Sequence, residues 1–107
     1  MKKELPACPV EITLTLINSR WSILILRDLM QETKRFGQLQ RSLGKVSQKV
    51  LSSTLKDMEK NGLIVRKVYP EVPPRVEYSL TSLGNSLDPV LDSLKKWGEF
   101  YKQNFPQ

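Results

Sequence analysis

KRFGQLQRSLGKVSQKVLSSTLKDMEKNGLIVRKVYPEVPPRVEYSLT, residues 34–81, decides the fold. Phe36, Leu39 and Leu43 recur at helical spacing, and Gly44 follows where a helix commonly closes on a left-handed residue. Ser47 is placed to cap a second helix. Leu51, Leu55 and Met58 form that helix's apolar stripe, with Val50 beside them, and Asn61 and Gly62 end it. Its other face carries Gln48, Lys49, Ser52, Ser53, Lys56 and Lys60. Two helices joined by a few residues that include glycine make a helix-turn-helix. Residues 63–69 and 76–80 then read as strands, because Val76, Tyr78 and Leu80 alternate with Glu77 and Ser79. Between them lie three prolines, which a sheet interior does not tolerate and a stiff exposed hairpin tip does. The fold class this predicts is mainly α with a small β-hairpin wing, a winged helix-turn-helix.

Upstream, Trp21, Leu24, Ile25 and Leu29 space a helix over 21–30. Ile23 and Leu26 widen its apolar face, and Asn18 and Ser19 are candidate caps. A helix this apolar belongs in the middle of the core. Downstream, Leu83, Leu87, Val90, Leu94, Trp97 and Tyr101 step alternately by four and three, a heptad seam. Asp88 and Pro89 interrupt it, with Asp88 expected as cap and Pro89 as first helical residue. So small a domain offers that seam no internal partner, so a second copy of the chain is the natural one. The predicted dimer interface is Leu87, Val90, Leu94, Trp97 and Tyr101. Nearer the start, Val10, Ile12, Leu14 and Leu16 alternate with polar residues as a strand would, yet Pro9 also suits a helix start. Local pattern leaves both open.

Charge adds a partner. Residues 34–75 hold ten Lys or Arg against three Asp or Glu, a local +7 in a chain of net charge +6. A basic segment in an otherwise balanced domain is the footprint of a polyanion-binding surface, with double-stranded DNA foremost. The 107 residues suffice for one domain, with a core over about 8–81 and a C-terminal helix over about 82–105. No histidine is present and the five glycines are isolated, so imidazole catalysis, His-metal sites and phosphate-cradling loops are not expected. The reading is of a protein that is not an enzyme and needs no metal or cofactor. No window approaches the ~20 apolar residues of a membrane span. The charged, proline-containing N-terminus does not resemble a signal peptide, and the one cysteine allows no internal disulfide. A cytoplasmic location is expected.

The strings CPVEITLTLI, RWSILILRDL, KRFGQLQRSLGKVSQKVLSSTLKDMEKNGLIVR, VYPEVPPRVEYSLTSLGNSL and KKWGE resemble the HxlR-type bacterial transcription regulators from about Cys8 to Trp97. The most specific of them is VYPEVPPRVEYSLT, since so proline-dense a tip inside a strand pair is rare. The resemblance implies that the segment from Pro9 to Ile17 is helical. It also implies a homodimer built from the N-terminal segment and the C-terminal helix, in agreement with the seam. In such a fold the helix over 47–61 enters the DNA major groove, where base edges present distinct donors and acceptors. Ser47, Gln48, Lys49, Ser52 and Ser53 are the candidate base readers, and Lys56 a phosphate contact. Lys34, Arg35 and Arg41 sit where the preceding helix would cross the backbone. Arg75 would lie with the wing along the backbone or in the minor groove; the competing reading pairs it with Glu71.

Some relatives in this family use an N-terminal cysteine in the same Cys-Pro context, which makes Cys8 a redox candidate. A cysteine at a helix start is biased toward thiolate. Lacking a second cysteine, a sensor here needs the partner's Cys8, a small thiol or an electrophile. The bland alternative is that Cys8 only packs. The effector, if any, is not named by the sequence. The alternative function is a winged-helix interaction module whose basic face serves an acidic protein. Short polar residues such as Ser52 and Ser53 favour DNA over such an interface. RNA binding usually needs exposed aromatics for stacking, and the basic stretch has only Phe36 and Tyr69.

Overall fold

Helix α2, Arg20–Gln31, forms because Ser19 caps it and its apolar face is continuous. The Ser19 hydroxyl accepts the Ser22 N–H at 3.1 Å. Ile25, Leu26 and Leu29 are buried beneath it. Each such side chain contributes about 1.5–3 kcal/mol on full burial, against about 1 kcal/mol for a cap, so packing rather than capping holds this helix. The computed structural model describes residues 4–106. Helix α1 is Pro9–Leu16, and α3, Phe36–Leu43, and α4, Gln48–Lys60, follow α2. Strands β1, Ile64–Tyr69, and β2, Arg75–Leu80, pair antiparallel from Ile64 opposite Leu80 to Tyr69 opposite Arg75. A short α5, Ser82–Asn85, leads into α6, Asp88–Asn104.

The core lies where α2, α3, α4 and the hairpin meet. Ile25, Leu26, Leu39, Leu51, Leu55, Met58, Leu63 and Ile64 are almost wholly buried in it. Lys34, between α2 and α3, ties the hairpin to the helices. Its N–H donates to the Tyr78 carbonyl at 3.0 Å and its carbonyl accepts the Tyr78 N–H at 2.8 Å. Gly62, with φ +78°, turns the chain out of α4 into β1, a conformation that L side chains rarely adopt.

Three details depart from what local pattern suggests or refine it. The alternating segment Val10–Leu16 is helical, as the resemblance implies. The hydroxyls of Thr13 and Thr15 donate back to the carbonyls of Pro9 and Ile12, so the polar residues suit a helix surface. Asp88 does not cap α6. Leu87 holds the cap position in helical conformation (φ −80°, ψ −4°), with Asp88 and Pro89 inside the first turn. The chain therefore passes from α5 to α6 almost as a bent helix, with no extended residue for a side-chain cap. Finally, Leu87 differs from the rest of the heptad seam, packing with Leu91 against its own core.

The hairpin ends on a clasp. The Thr81 N–H donates to the Leu63 carbonyl at 3.0 Å and its hydroxyl to the Gly62 carbonyl at 2.6 Å, while the same hydroxyl accepts the Gly84 N–H at 2.9 Å. Gly84 is thereby drawn so close that a Cβ on it would lie 2.0 Å from the Leu63 oxygen. Backbone cannot yield as a side chain end would. Gly84→Ala is therefore expected to lower stability by about 1–3 kcal/mol or more, read as a lower urea midpoint with an unchanged slope. An unchanged midpoint would show that the clasp is slack.

Candidate nucleic-acid interface

The start of α4 stands clear of the core because the four residues 44–47 turn the chain through Gly44, at φ +80°, and bury only Val46 among them. The Ser47 hydroxyl accepts the Val50 N–H at 3.1 Å, so it caps the helix and keeps its own hydrogen to donate outward. Gln48, Lys49, Ser53 and Lys56 are exposed along this helix, while Leu51, Leu55 and Met58 are buried on its inner side. The helix thus presents amide, hydroxyl and ammonium groups together. Its N-terminus adds the positive end of the helix dipole, which favours anions.

Ser52 is half-buried. It lines a cleft of about 280 Å³ between α4 and the hairpin, with Phe36, Leu55, Lys56, Glu59, Arg66 and Tyr78. Arg66 stands on this side of the hairpin because it lies opposite Tyr78 in the strand register. Arg66 belongs to the basic segment, and nothing in its local sequence marks it out from the other cations. Strand register, which places it beside α4, was the missing signal.

The other candidate cations divide. Arg35 and Arg41 are exposed on α3 and just before it. The Arg35 N–H is capped by the Gln38 side chain at 2.8 Å, leaving its guanidinium out of the cap. The Lys34 side chain is only 18% exposed and pairs with Glu32 at 3.1 Å, a consequence of its bridge to Tyr78. Arg75 is engaged inside the wing. Its two terminal nitrogens each lie 3.0 Å from a carboxylate, those of Glu71 and Glu77. Its guanidinium carbon sits 3.9 Å from the centre of the Tyr69 ring, and the Lys67 ammonium is 5.0 Å from the same ring. Tyr69 is thus held by two cations, and Phe36 packs against the core. Neither aromatic of the basic stretch is set out as a stacking platform.

The remaining sequence candidates lie elsewhere. Cys8 is exposed at the cap position of α1. Val90, Leu94, Trp97 and Tyr101 are exposed along α6, together with Phe100 and Phe105. On α1, Val10 and Leu14 are exposed as well. No helix among the described residues is long and apolar enough to cross a membrane.

Helix-turn-helix and proline-tipped hairpin together define a winged helix-turn-helix regulator. Residues 16–105 match the HxlR-like helix-turn-helix family, and the chain belongs to it. It is similar to the HTH-type transcriptional regulator YdeP of Bacillus subtilis strain 168, with 44% identity over 95 residues, 89% of this chain and 74% of that one. Among solved structures it is similar to the redox regulator HypR in its oxidized form, at 39% identity and a TM-score of 0.82 over 86% of this chain and 95% of the other. It is also similar to the reduced form of the transcriptional regulator YodB from B. subtilis, at 36% identity and a TM-score of 0.76 over 88% and 93%. This chain is accordingly a transcriptional regulator of helix-turn-helix type, and its relatives are regulators rather than enzymes.

Proposed function

We propose that the chain is a one-domain cytoplasmic regulator that binds a pseudo-palindromic operator as a homodimer. The observation that carries this reading is the exposed start of α4, where Ser47, Gln48, Lys49, Ser53 and Lys56 stand free of the core. Gln48, with an amide that can both donate and accept, is suited to a base edge. Lys49 and Lys56 carry compact charges suited to phosphate or guanine. Ser52, in the cleft, reaches the same groove from the wing side. Arg35 and Arg41 would hold the backbone on the α3 side, with Lys34 contributing through its short exposed edge. Arg75 meets DNA only by exchanging its carboxylates for phosphate, which makes Arg66 the hairpin's readier cation.

The dimer reading rests on the apolar side chains exposed on α6 and α1. Such a surface is costly in water and is the usual mark of an interface. Two copies joined there would hold two α4 helices for inverted half-sites about one helical turn, or a small multiple, apart. Cys8 adjoins this surface at the start of α1 and is exposed. In the redox reading, a diazene or quinone oxidant takes two electrons and two protons from Cys8 and a second thiol, the partner's Cys8 or a small thiol, and a disulfide results. The shift of α1 would then change the spacing of the recognition helices. That HypR is a redox regulator supports this part of the reading.

Selection of bound sequences from a random duplex pool tests the whole proposal; uniform, sequence-independent recovery would defeat it. Within a selected operator, Gln48→Ala is expected to relax preference at one position by about 1–3 kcal/mol. Lys56→Ala should instead weaken all sequences and reduce the salt slope by about one. Leu94→Glu places a charge in the α6 surface, where an unpaired buried charge is strongly disfavoured. A monomer with much weaker operator binding is expected from light scattering and titration. A stable dimer of this variant would remove α6 from the interface. Diamide should lower operator affinity of the wild type and spare Cys8→Ser; equal responses would end the redox reading alone.

A further inference from the structure

Helix α6 carries a glycine that nothing in its own chain requires. Gly98 lies in the helix interior with a negative φ, and a Cβ built there would meet nothing within 4 Å. Glycine in a helix interior is destabilising relative to alanine. The cost is borne on the apolar side of the helix, since Gly98 falls one turn from both Leu94 and Tyr101. Trp97, 63% exposed, is its neighbour. The rings of Trp97, Tyr101 and Phe105 stack along the helix at centroid distances of 5.4 and 5.1 Å. They form a ridge with a notch beside it. The Asp92–Lys96 ion pair, at 2.9 Å, occupies the opposite side.

The exposed apolar positions are also self-complementary in one orientation. Let two α6 helices run antiparallel, with the two-fold axis between positions 97 and 98. Trp97 then lies level with the partner's Gly98, and Leu94 with the partner's Tyr101. In both pairs a large residue meets a smaller one, and these four positions map onto one another, as an isologous interface demands. A parallel pair would instead set each residue against its own copy, indole against indole, and leave Gly98 without use.

We propose that Gly98 is the notch that seats the partner's Trp97 where two α6 helices cross antiparallel. The occupant is a second copy of this chain, and the inference rests on the homodimer reading above. The notch fixes the crossing point, and through it the separation of the two α4 helices.

The test compares wild type and Gly98→Ala by sedimentation over a concentration series, with far-UV circular dichroism on both. Alanine should hold or raise helix content yet weaken dimerisation by about tenfold. Trp97→Leu added to Gly98→Ala should recover part of that loss by shrinking the side chain that must enter. A purely intrachain role for Gly98 would move folding and leave the dimer constant unchanged. Orientation is read by oxidative cross-linking in a Cys8→Ser background. Leu94→Cys with Tyr101→Cys should link two chains efficiently, and Leu94→Cys alone should not. A Gly98→Ala dimer as tight as wild type, or efficient linking through Leu94→Cys alone, overturns the notch while leaving the homodimer standing. A monomeric wild type overturns both.

Discussion

Burial of α2 is the constraint on which the other elements depend. Its inner face, with Ile25 and Leu26 fully buried, is touched by α3, α4, β2 and α6. An apolar helix of this kind has no stable position at a surface, so the remaining helices and the hairpin take their places around it. Helix α4 consequently buries one side only and turns the other outward with its N-terminus free. The hairpin is pinned at its base, by the Lys34–Tyr78 bridge and by the Thr81 clasp over Gly62 and Leu63. The recognition helix and the wing are therefore positioned by one core.

Charge is arranged less simply than its total suggests. The basic segment spends part of its cation content on its own architecture. Arg75 braces the wing against Glu71, Glu77 and Tyr69, and Lys34 is drawn down toward Glu32. Paired and partly shielded cations contribute less to a polyanion field than exposed ones. The segment's exposed cations outside those ion pairs stand on and just before α3 (Arg41, Arg35), in the turn after it (Lys45), on α4 (Lys49, Lys56, Lys60) and on β1 (Arg66, Lys67), with Lys56 and Arg66 lining the cleft.

The molecule has two unlike surfaces. One is polar and cationic around α4; elsewhere α1 exposes Val10 and Leu14, and α6 exposes Leu94, Trp97 and Tyr101, apolar side chains the core does not use. In the homodimer proposed above, that separation would let one surface take a nucleic acid while the other takes a second chain, and the crossing of the apolar surfaces would set the distance between two α4 helices.

Periodicity alone was enough for the helix-turn-helix, the wing and the apolar seam. These elements are short, strongly patterned and punctuated by Ser47, Gly44, Gly62 and the hairpin prolines, so local chemistry and the global fold agree. The helical state of α1 was not legible locally. Its alternating residues suit a strand equally well, and the choice between strand and helix depends on contacts that lie outside the segment. The roles of single side chains were also beyond the sequence. Arg75 and Arg66 are the same residue type in the same basic stretch, yet strand register sets one against two carboxylates and the other beside α4. Leu87 and Leu94 share one heptad seam, yet the bend between α5 and α6 turns the first onto its own core and leaves the second exposed. Composition and spacing determine which elements form and which faces are apolar or charged. Which cation is spent on the fold, and which apolar residue is left over, depends on contacts between residues distant in the chain, and only the tertiary structure decides them.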